Sequence, residues 1–277
     1  MRTNIALPVN DCLAEDIVWK EKVAPLLRDV PLNIYDVCEY GVTEMINNVI
    51  DHSECDKISV QVTIDDDYIE FKIKDYGIGV FNKVQKKLGL EYPHEAIFEI
   101  VKGKCTTDPT RHTGEGIFFT SHMFDQFFIL SGGIRFVAGT IFEEKSYTFE
   151  NRDRIGGTVV VMRISKESKV EKKDVFDKFT ASNDDDFGFS KTCFPINLAA
   201  QEGGKVISRS QAKRILVRAD KFSEVILDFK GIEEIGQGFA DEVFRVFKLT
   251  HPNTRIIPMN TTEDIDKMIK RALTANV

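Results

Sequence analysis

The first third of the chain carries two patterns of apolar residues, one helical and one extended. Between Leu32 and Asp51, apolar side chains recur at spacings of three and four residues, which predicts an amphipathic helix. The segments on either side of the turn Asp65-Asp66-Asp67 alternate apolar and polar residues, which predicts a β-hairpin. The apolar positions are Ile34, Cys38, Val42, Met45 and Val49 in the helix and Ile58, Val60, Val62, Ile64, Ile69, Phe71 and Ile73 in the hairpin.

A second helix and four more strands are predicted farther along the chain. The helix is expected near Ile117 to Phe127, and the strands in the runs FFIL, IRFVA, SYTF and TVVVMRI. This order of elements favours one layer of helices on one layer of sheet. We therefore expect an α/β (α+β) fold, a two-layer sandwich with a mixed sheet.

A charged stretch from Ser165 to Asp186 has little apolar periodicity and is predicted to be a linker. It separates a first domain at residues 1–164 from a smaller one at 187–277. In the second domain, strands near FPINL, EVILDF and TRIIPM alternate with helices. This alternation predicts parallel strands joined by helical crossovers, and hence a small α/β domain.

Composition narrows the class of protein. The 277 residues, 42% of them hydrophobic, suffice for two cores. The chain has no apolar run of about eighteen residues and no signal-peptide layout at its start, so we expect a cytoplasmic protein without membrane association. Five scattered cysteines without a CxxC pair argue against a disulfide framework or a zinc site. A net charge of -7 argues against nucleic acid as a partner.

The polar face of the first helix is the first candidate for a binding site. Glu44, Asn48 and His52 follow one another at four-residue spacing, so they project from one side of the helix. A solvated helix face carries the same residue types, and a helix C-terminus also favours His for electrostatic reasons. The spacing alone leaves both interpretations open.

Two glycine-rich loops add to this candidate. Asp75 ends the second hairpin strand and begins the loop Asp75-Tyr76-Gly77-Ile78-Gly79, in which spaced glycines permit close approach of a flat ligand. About thirty residues later, Thr113-Gly114-Glu115-Gly116-Ile117 opens the second predicted helix, where free backbone N–H groups and the helix dipole attract phosphate.

The order of these motifs resembles the GHKL (Bergerat-fold) superfamily of ATPases and kinases. A helix bearing ExxxN, a hairpin, DxGxG, a lid-length insertion and a second GxG lie within about Val30 to Ile164. The layout is most similar to the anti-sigma-factor serine kinases, which are bacterial. The resemblance implies a Bergerat two-layer sandwich that binds ATP and Mg²⁺. It assigns Glu44 as the catalytic acidic residue, Asn48 as the metal ligand and Asp75 as the acceptor for the adenine amino group.

Further residues are assigned by the same resemblance. Gly114 and Gly116 match the second glycine box, and Thr158 after Gly157 matches a hydroxyl near the adenine. The insertion from Val80 to Arg111 matches the lid over the triphosphate, with Lys102, Lys104 and Arg111 as candidates for phosphate contact. Two features depart from the family pattern: Asn47 doubles the metal-binding Asn, and the second box continues as GEGIFF.

The C-terminal segment from Phe187 to Ala275 resembles a STAS-like domain, related in outline to anti-sigma-factor antagonists. Antagonists of that class carry a phosphorylatable Ser in the loop before a helix, but the corresponding loop here, residues 231–239, contains no Ser or Thr. This argues against phosphorylation of the second domain at the usual site. Ser208 and Ser210 are predicted to cap a helix.

Three functions follow from these resemblances. The first is a bacterial signal-transduction protein in which Mg-ATP binding, protein kinase activity or slow ATPase activity controls how the STAS-like domain meets a protein partner. The second is an interaction module that senses ATP without turning it over. The third is a nucleic-acid-linked transcriptional regulator, which the acidic charge disfavours. The oligomeric state, including a homodimer, is left open.

Overall fold

The computed structural model describes residues 1–106, 113–141, 144–180, 188–200 and 205–274. The chain forms two compact units. The N-terminal unit comprises residues 1–97 and 105–176, and the C-terminal unit comprises residues 98–104 and 177–277. A short stretch from the predicted lid therefore belongs to the C-terminal unit, which the boundaries derived from the sequence did not foresee. Among the described residues, no helix is long and apolar enough to cross a membrane.

The N-terminal unit contains a seven-stranded sheet. Its spatial order is β1-β2-β3-β7-β4-β5-β6, and its described neighbours all pair antiparallel. The strands are β1 (Arg2–Pro8), β2 (Lys57–Ile64), β3 (Tyr68–Asp75), β4 (Gln126–Ser131), β5 (Ile134–Ile141), β6 (Glu144–Asn151) and β7 (Thr158–Ser165).

The α/β class and the β2–β3 hairpin are confirmed, but the expectation of a mixed sheet is corrected. Strands β3 and β4 run in the same direction, as do parallel strands that are joined by a helical crossover. However, β7 inserts between them and pairs antiparallel with both, so these two parallel strands are not neighbours.

Helices cover one part of this sheet and fill the connection between β3 and β4. The predicted first helix is α2, whose apolar stripe is buried and whose bounds agree with the prediction within one residue. The second predicted helix, α5, ends at Met123 instead of Phe127, because Phe127 lies in β4. The helices are α1 (Glu15–Val18), α2 (Leu32–His52), α3 (Val80–Leu88), α4 (Glu95–Lys102), α5 (Gly116–Met123) and α6 (Lys172–Phe179). The last of these lies in the stretch predicted to be a linker.

The C-terminal unit has a parallel sheet in the order β12-β10-β8, as predicted. Two short strands, β9 and β11, form a second parallel pair. Ser208 caps α7 by accepting a hydrogen bond from the backbone N–H of Gln211, which confirms the predicted N-cap. The elements are β8 (Lys191–Pro195), β9 (Lys205–Val206), α7 (Arg209–Leu216), β10 (Glu224–Asp228), β11 (Glu234–Ile235), α8 (Gln237–Ala240), α9 (Phe247–Thr250), β12 (Arg255–Met259) and α10 (Glu263–Thr274). A π-helical stretch, Asp241–Val246, joins α8 to α9.

Candidate functional site

Asp75 lies at the end of β3, where its carboxylate organises two loops. Its Oδ1 accepts hydrogen bonds from the backbone N–H of Gly77 at 2.9 Å and of Thr158 at 3.1 Å. The side chain is buried, and burial is the main cause that raises the pKa of Asp75, against the lowering effect of these hydrogen bonds. A buried carboxylate fixed in this way is an acceptor of defined position for a donor on a ligand.

The glycines around Asp75 allow its loops to approach closely. Gly157 has φ +74°, and a Cβ on it would lie 2.3 Å from the carbonyl oxygen of Asp75. Gly79 has φ +82° and lies directly before α3, beside the buried Ser131. The hydroxyl oxygen of Thr158 accepts a hydrogen bond from the backbone N–H of Val80, which begins α3. Thr158 thus connects the start of β7 to the loop that follows Asp75.

The loop after Asp75 is also attached to the C-terminal end of α2. The backbone N–H of Ile78 donates to the carbonyl of Ser53 at 3.1 Å. A Cβ on Gly77 would lie only 1.8 Å from the same carbonyl oxygen. The helix that carries Glu44 and Asn48 and the loop that begins with Asp75 are therefore held together.

The close approach of Gly77 to Ser53 predicts a large effect of the Gly77→Ala substitution on stability. The added methyl group would meet backbone atoms that cannot rotate away, so we expect a loss of about 1–3 kcal/mol or more in the free energy of unfolding. Urea denaturation measures this loss. Gly156→Ala is the matched control, since a Cβ there has no neighbour within 4 Å and we expect it to leave the stability unchanged. Equal stabilities of the two variants would contradict the close contact.

Glu44 lies against the second glycine box. A Cβ on Gly116 would come within 2.0 Å of Oε2 of Glu44, so the carboxylate packs directly on this glycine at the start of α5. Glu115 precedes it as the N-cap residue of α5. The N-terminus of a helix favours a negative charge, and it is also where the resemblance places the phosphates.

Acidic groups crowd the surroundings of Glu44. Burial is the main cause that raises the pKa of Glu44, and the charges of Glu115 and Glu15 raise it further. Tyr40, one turn earlier on α2, also has a raised pKa because of burial and of the charges of Glu44 and Glu115. A cation or a proton at this position would relieve the repulsion between the carboxylates.

Asn48 is half-buried, and its amide nitrogen Nδ2, which is inaccessible to solvent, has no hydrogen-bond partner in the part of the chain that the structure describes. Buried polar groups are normally paired, and an unpaired one costs about 1–3 kcal/mol. Asn48 lies one turn after Glu44 on α2, as the four-residue spacing predicted. An amide oxygen is a ligand that suits Mg²⁺, which takes its other ligands from phosphates and water.

The other predicted site residues lie in the second glycine box, at the end of α2 and in the predicted lid. Thr113 is exposed, Gly114 has φ +76°, and Ile117 lies in the first turn of α5. The carbonyl of His52 accepts a hydrogen bond from Nζ of Lys83 at 2.7 Å. Arg111 lies outside the described residues.

The two lysines of the predicted lid make hydrogen bonds within the C-terminal unit. Both belong to the C-terminal unit. The ammonium of Lys102 is buried and donates to Glu99 and to the carbonyls of Ile215 and Val217. Nζ of Lys104 donates to the carbonyl of Lys221 at 3.0 Å. The ammonium groups of both lysines thus have partners within the C-terminal unit, and their contact with phosphate stays a prediction.

Sequence reasoning missed several residues that shape the site. Tyr40 has a visible signal, since it lies four residues before Glu44 on the same face of α2. Ser53, Lys83 and Ser131 have no such signal, because their roles depend on contacts with loops distant in the sequence. Ser131 donates to the carbonyl of Gly157 at 3.0 Å and so supports the turn beside Asp75.

Comparison with known families agrees with this geometry. A model of the histidine kinase-like ATPase domain matches residues 23–134, which include α2, the β2–β3 hairpin and both glycine loops. A model of a STAS-like domain of unknown function matches residues 211–266. No curated protein matches the chain. The chain therefore combines a histidine kinase-like ATPase domain of the GHKL type with a C-terminal STAS-like domain.

Proposed function

We propose that the N-terminal unit binds Mg-ATP between α2, the loop after β3 and the start of α5. The observation that carries the proposal is the buried Asp75 carboxylate, held by the N–H groups of Gly77 and Thr158 at the end of a strand. This carboxylate would accept a hydrogen bond from the amino group of the adenine. The narrow glycine turns beside it would admit the flat base.

The rest of the site fits the other parts of the nucleotide. The N-terminus of α5, with Gly114 and Gly116, would receive the phosphates through backbone N–H groups. Asn48, on the same face of α2 as Glu44, would hold Mg²⁺ through its amide oxygen, and the cation would neutralise part of the charge of the phosphates. The packing of Glu44 on Gly116 supports a role in which Glu44 would face the attacking hydroxyl or water.

In this proposal Glu44 acts as the general base. Burial and neighbouring carboxylates raise its pKa, and a carboxylate with a raised pKa accepts a proton more readily. Transfer to a serine or threonine hydroxyl would make the protein a kinase, whereas transfer to water would make it a slow ATPase. Both reactions need the same residues. In either case the nucleotide would control the binding of a protein partner through the STAS-like domain. Such control requires that the nucleotide bind two conformations of the protein with different affinities.

A second candidate function is an ATP-sensing interaction module without turnover. The observation that favours it is the contact between Glu44 and Gly116. The carboxylate of Glu44 lies at the start of α5, near the like charge of Glu115. Phosphates bound at the start of α5 would displace Glu44 and so move it away from the attacking group. A nucleic-acid-linked regulator is disfavoured by the net charge of -7.

Incubation of the full chain with γ-labelled ATP and Mg²⁺, with and without candidate partner proteins, separates these functions. Labelled protein would support the kinase, and labelled inorganic phosphate alone would support the ATPase. Binding without either product, measured by calorimetry, would support the sensor. A chain that binds no ATP at all would refute the proposed function.

A further inference from the structure

The segment Phe98–Lys104 lies between the two glycine boxes in the sequence but is a structural part of the C-terminal unit. It comprises the second half of α4 and the turn that follows. Phe98 packs edge to face on Phe194 of β8, with ring centroids 5.5 Å apart. Ile100 and Val101 are buried as well. The segment therefore contributes to the apolar core of the STAS-like unit.

Polar contacts hold the end of this segment in place. The hydroxyl of Thr192 donates to the carbonyl of Lys102 at 2.6 Å, and Arg218 donates to the carbonyl of Lys104. The ammonium of Lys102, 2% exposed, pairs with Glu99 at 2.7 Å. Its other hydrogen bonds go to two carbonyls at the end of α7. The pair with Glu99 lies within the segment, whereas the bonds to these two carbonyls and those from Thr192 and Arg218 attach the segment to the rest of the STAS-like unit.

The backbone of the segment ends in a sharp change of direction. Gly103 has φ +81° and Lys104 has φ +54°, a left-handed conformation that is strained for a residue with a side chain. The contacts of Lys104 with Arg218 and Lys221 maintain this conformation. The docked segment thus restrains the chain immediately before Cys105.

Cys105 leads directly to the phosphate-binding end of the nucleotide site. Its backbone N–H donates to the carbonyl of Gly114 at 3.0 Å. A Cβ on Gly114 would lie 2.5–2.7 Å from backbone atoms of Cys105 and Thr106, so the backbones of these two segments are in close contact. Gly116, two residues later, packs on Glu44. The second glycine box therefore packs on the residues that directly follow the docked segment.

We propose that the STAS-like unit pre-organises the second glycine box by docking Phe98–Lys104, so that Mg-ATP binding and this docking strengthen each other. The inference rests on the proposed function, since it assumes that the box receives phosphates. Pre-organising a binding loop lowers the entropic cost of ligand binding. Because linkage is reciprocal, the nucleotide must stabilise the docked segment by the same factor by which docking raises the affinity for the nucleotide.

The test removes contacts to the docked segment without substituting any residue of the predicted lid or of the nucleotide site. Thr192→Val and Arg218→Gln, made together in the full chain, delete the hydrogen bonds to the carbonyls of Lys102 and Lys104. Calorimetric titration with Mg-ATP should show binding about fivefold weaker than in the native chain. The matched control is Thr254→Val with Arg255→Gln in the same unit. There Thr254 donates to the carbonyl of Phe222 and Arg255 lies beside Glu224, and we expect unchanged affinity.

Hydrogen exchange in the native chain provides a second measurement that does not depend on the folding of a variant. Saturating Mg-ATP should slow the exchange of amides in residues 98–104. Unchanged exchange there, or equal affinities of the two double variants, would overturn the inference, and so would tighter binding after the contacts are removed. If the native chain binds no Mg-ATP, the proposed function itself fails. If the native chain and the double variant bind Mg-ATP with equal affinity, the proposed function stands and only the coupling fails.

Discussion

Asp75→Asn is expected to weaken Mg-ATP binding by at least about tenfold and up to about one hundredfold. Oδ1 of Asp75 is occupied by the N–H groups of Gly77 and Thr158, and an asparagine oxygen at the same place can still accept both. The amide nitrogen that replaces the second oxygen, however, is a donor. It would face the adenine amino group, which is also a donor, and leave a buried polar contact unmade. The loop should therefore keep its structure while the base loses its partner.

Calorimetric titration with ATP, with and without Mg²⁺, measures this loss. Asp125→Asn is the matched control, because Oδ2 of Asp125 accepts the backbone N–H of Ser165 in the same unit, outside the candidate site. The control should bind Mg-ATP as the native chain does. Equal affinities of the native chain and Asp75→Asn would remove the adenine assignment and most of the proposed function.

Glu44→Gln is expected to lower ATP turnover by about 10² to 10⁴ while Mg-ATP binding is kept. Glutamine has nearly the same shape as glutamate but cannot accept the proton of the attacking group. Release of labelled phosphate under single-turnover conditions measures the effect on chemistry, and calorimetry measures binding. Glu39→Gln is a suitable control, because it makes the same chemical change on α2 outside the predicted site. Turnover that survives in Glu44→Gln would show that another group is the base.

The same substitution has a second expected result, in the dependence of stability on pH. The pKa of Glu44 is raised in the folded protein, chiefly by burial and then by Glu115 and Glu15. The ionised side chain therefore destabilises the fold above its raised pKa, and this penalty disappears as the pH falls to the ordinary range of a carboxyl group. Glu44→Gln should thus unfold at a higher temperature than the native chain at pH 8, and the difference should shrink as the pH is lowered. A constant difference across this range would exclude ionisation of Glu44 as its cause.

Local patterns predicted the elements that carry the site. The four-residue spacing of Glu44 and Asn48 placed both on one face of α2, since a helix repeats every 3.6 residues. Alternation of apolar residues placed Asp75 at the end of β3. The helices α3 and α4 were missed because the glycine-punctuated insertion around them hides their short apolar repeats. Strand β1 lies at the edge of the sheet, with no fully buried residue, so its pattern is weak.

The sequence by itself determined the kinds of domain in this protein, the order of their main elements and the residues expected to meet a nucleotide. These follow from periodicity and from motifs whose members lie within a few residues of one another. Only the tertiary structure decided that β7 separates β3 from β4, that Glu44 packs on Gly116, and that Phe98–Lys104 belongs to the C-terminal unit. The physical reason is distance along the chain. The bonds of Lys102 to the end of α7 join residues more than one hundred positions apart, and no local pattern encodes such a pairing.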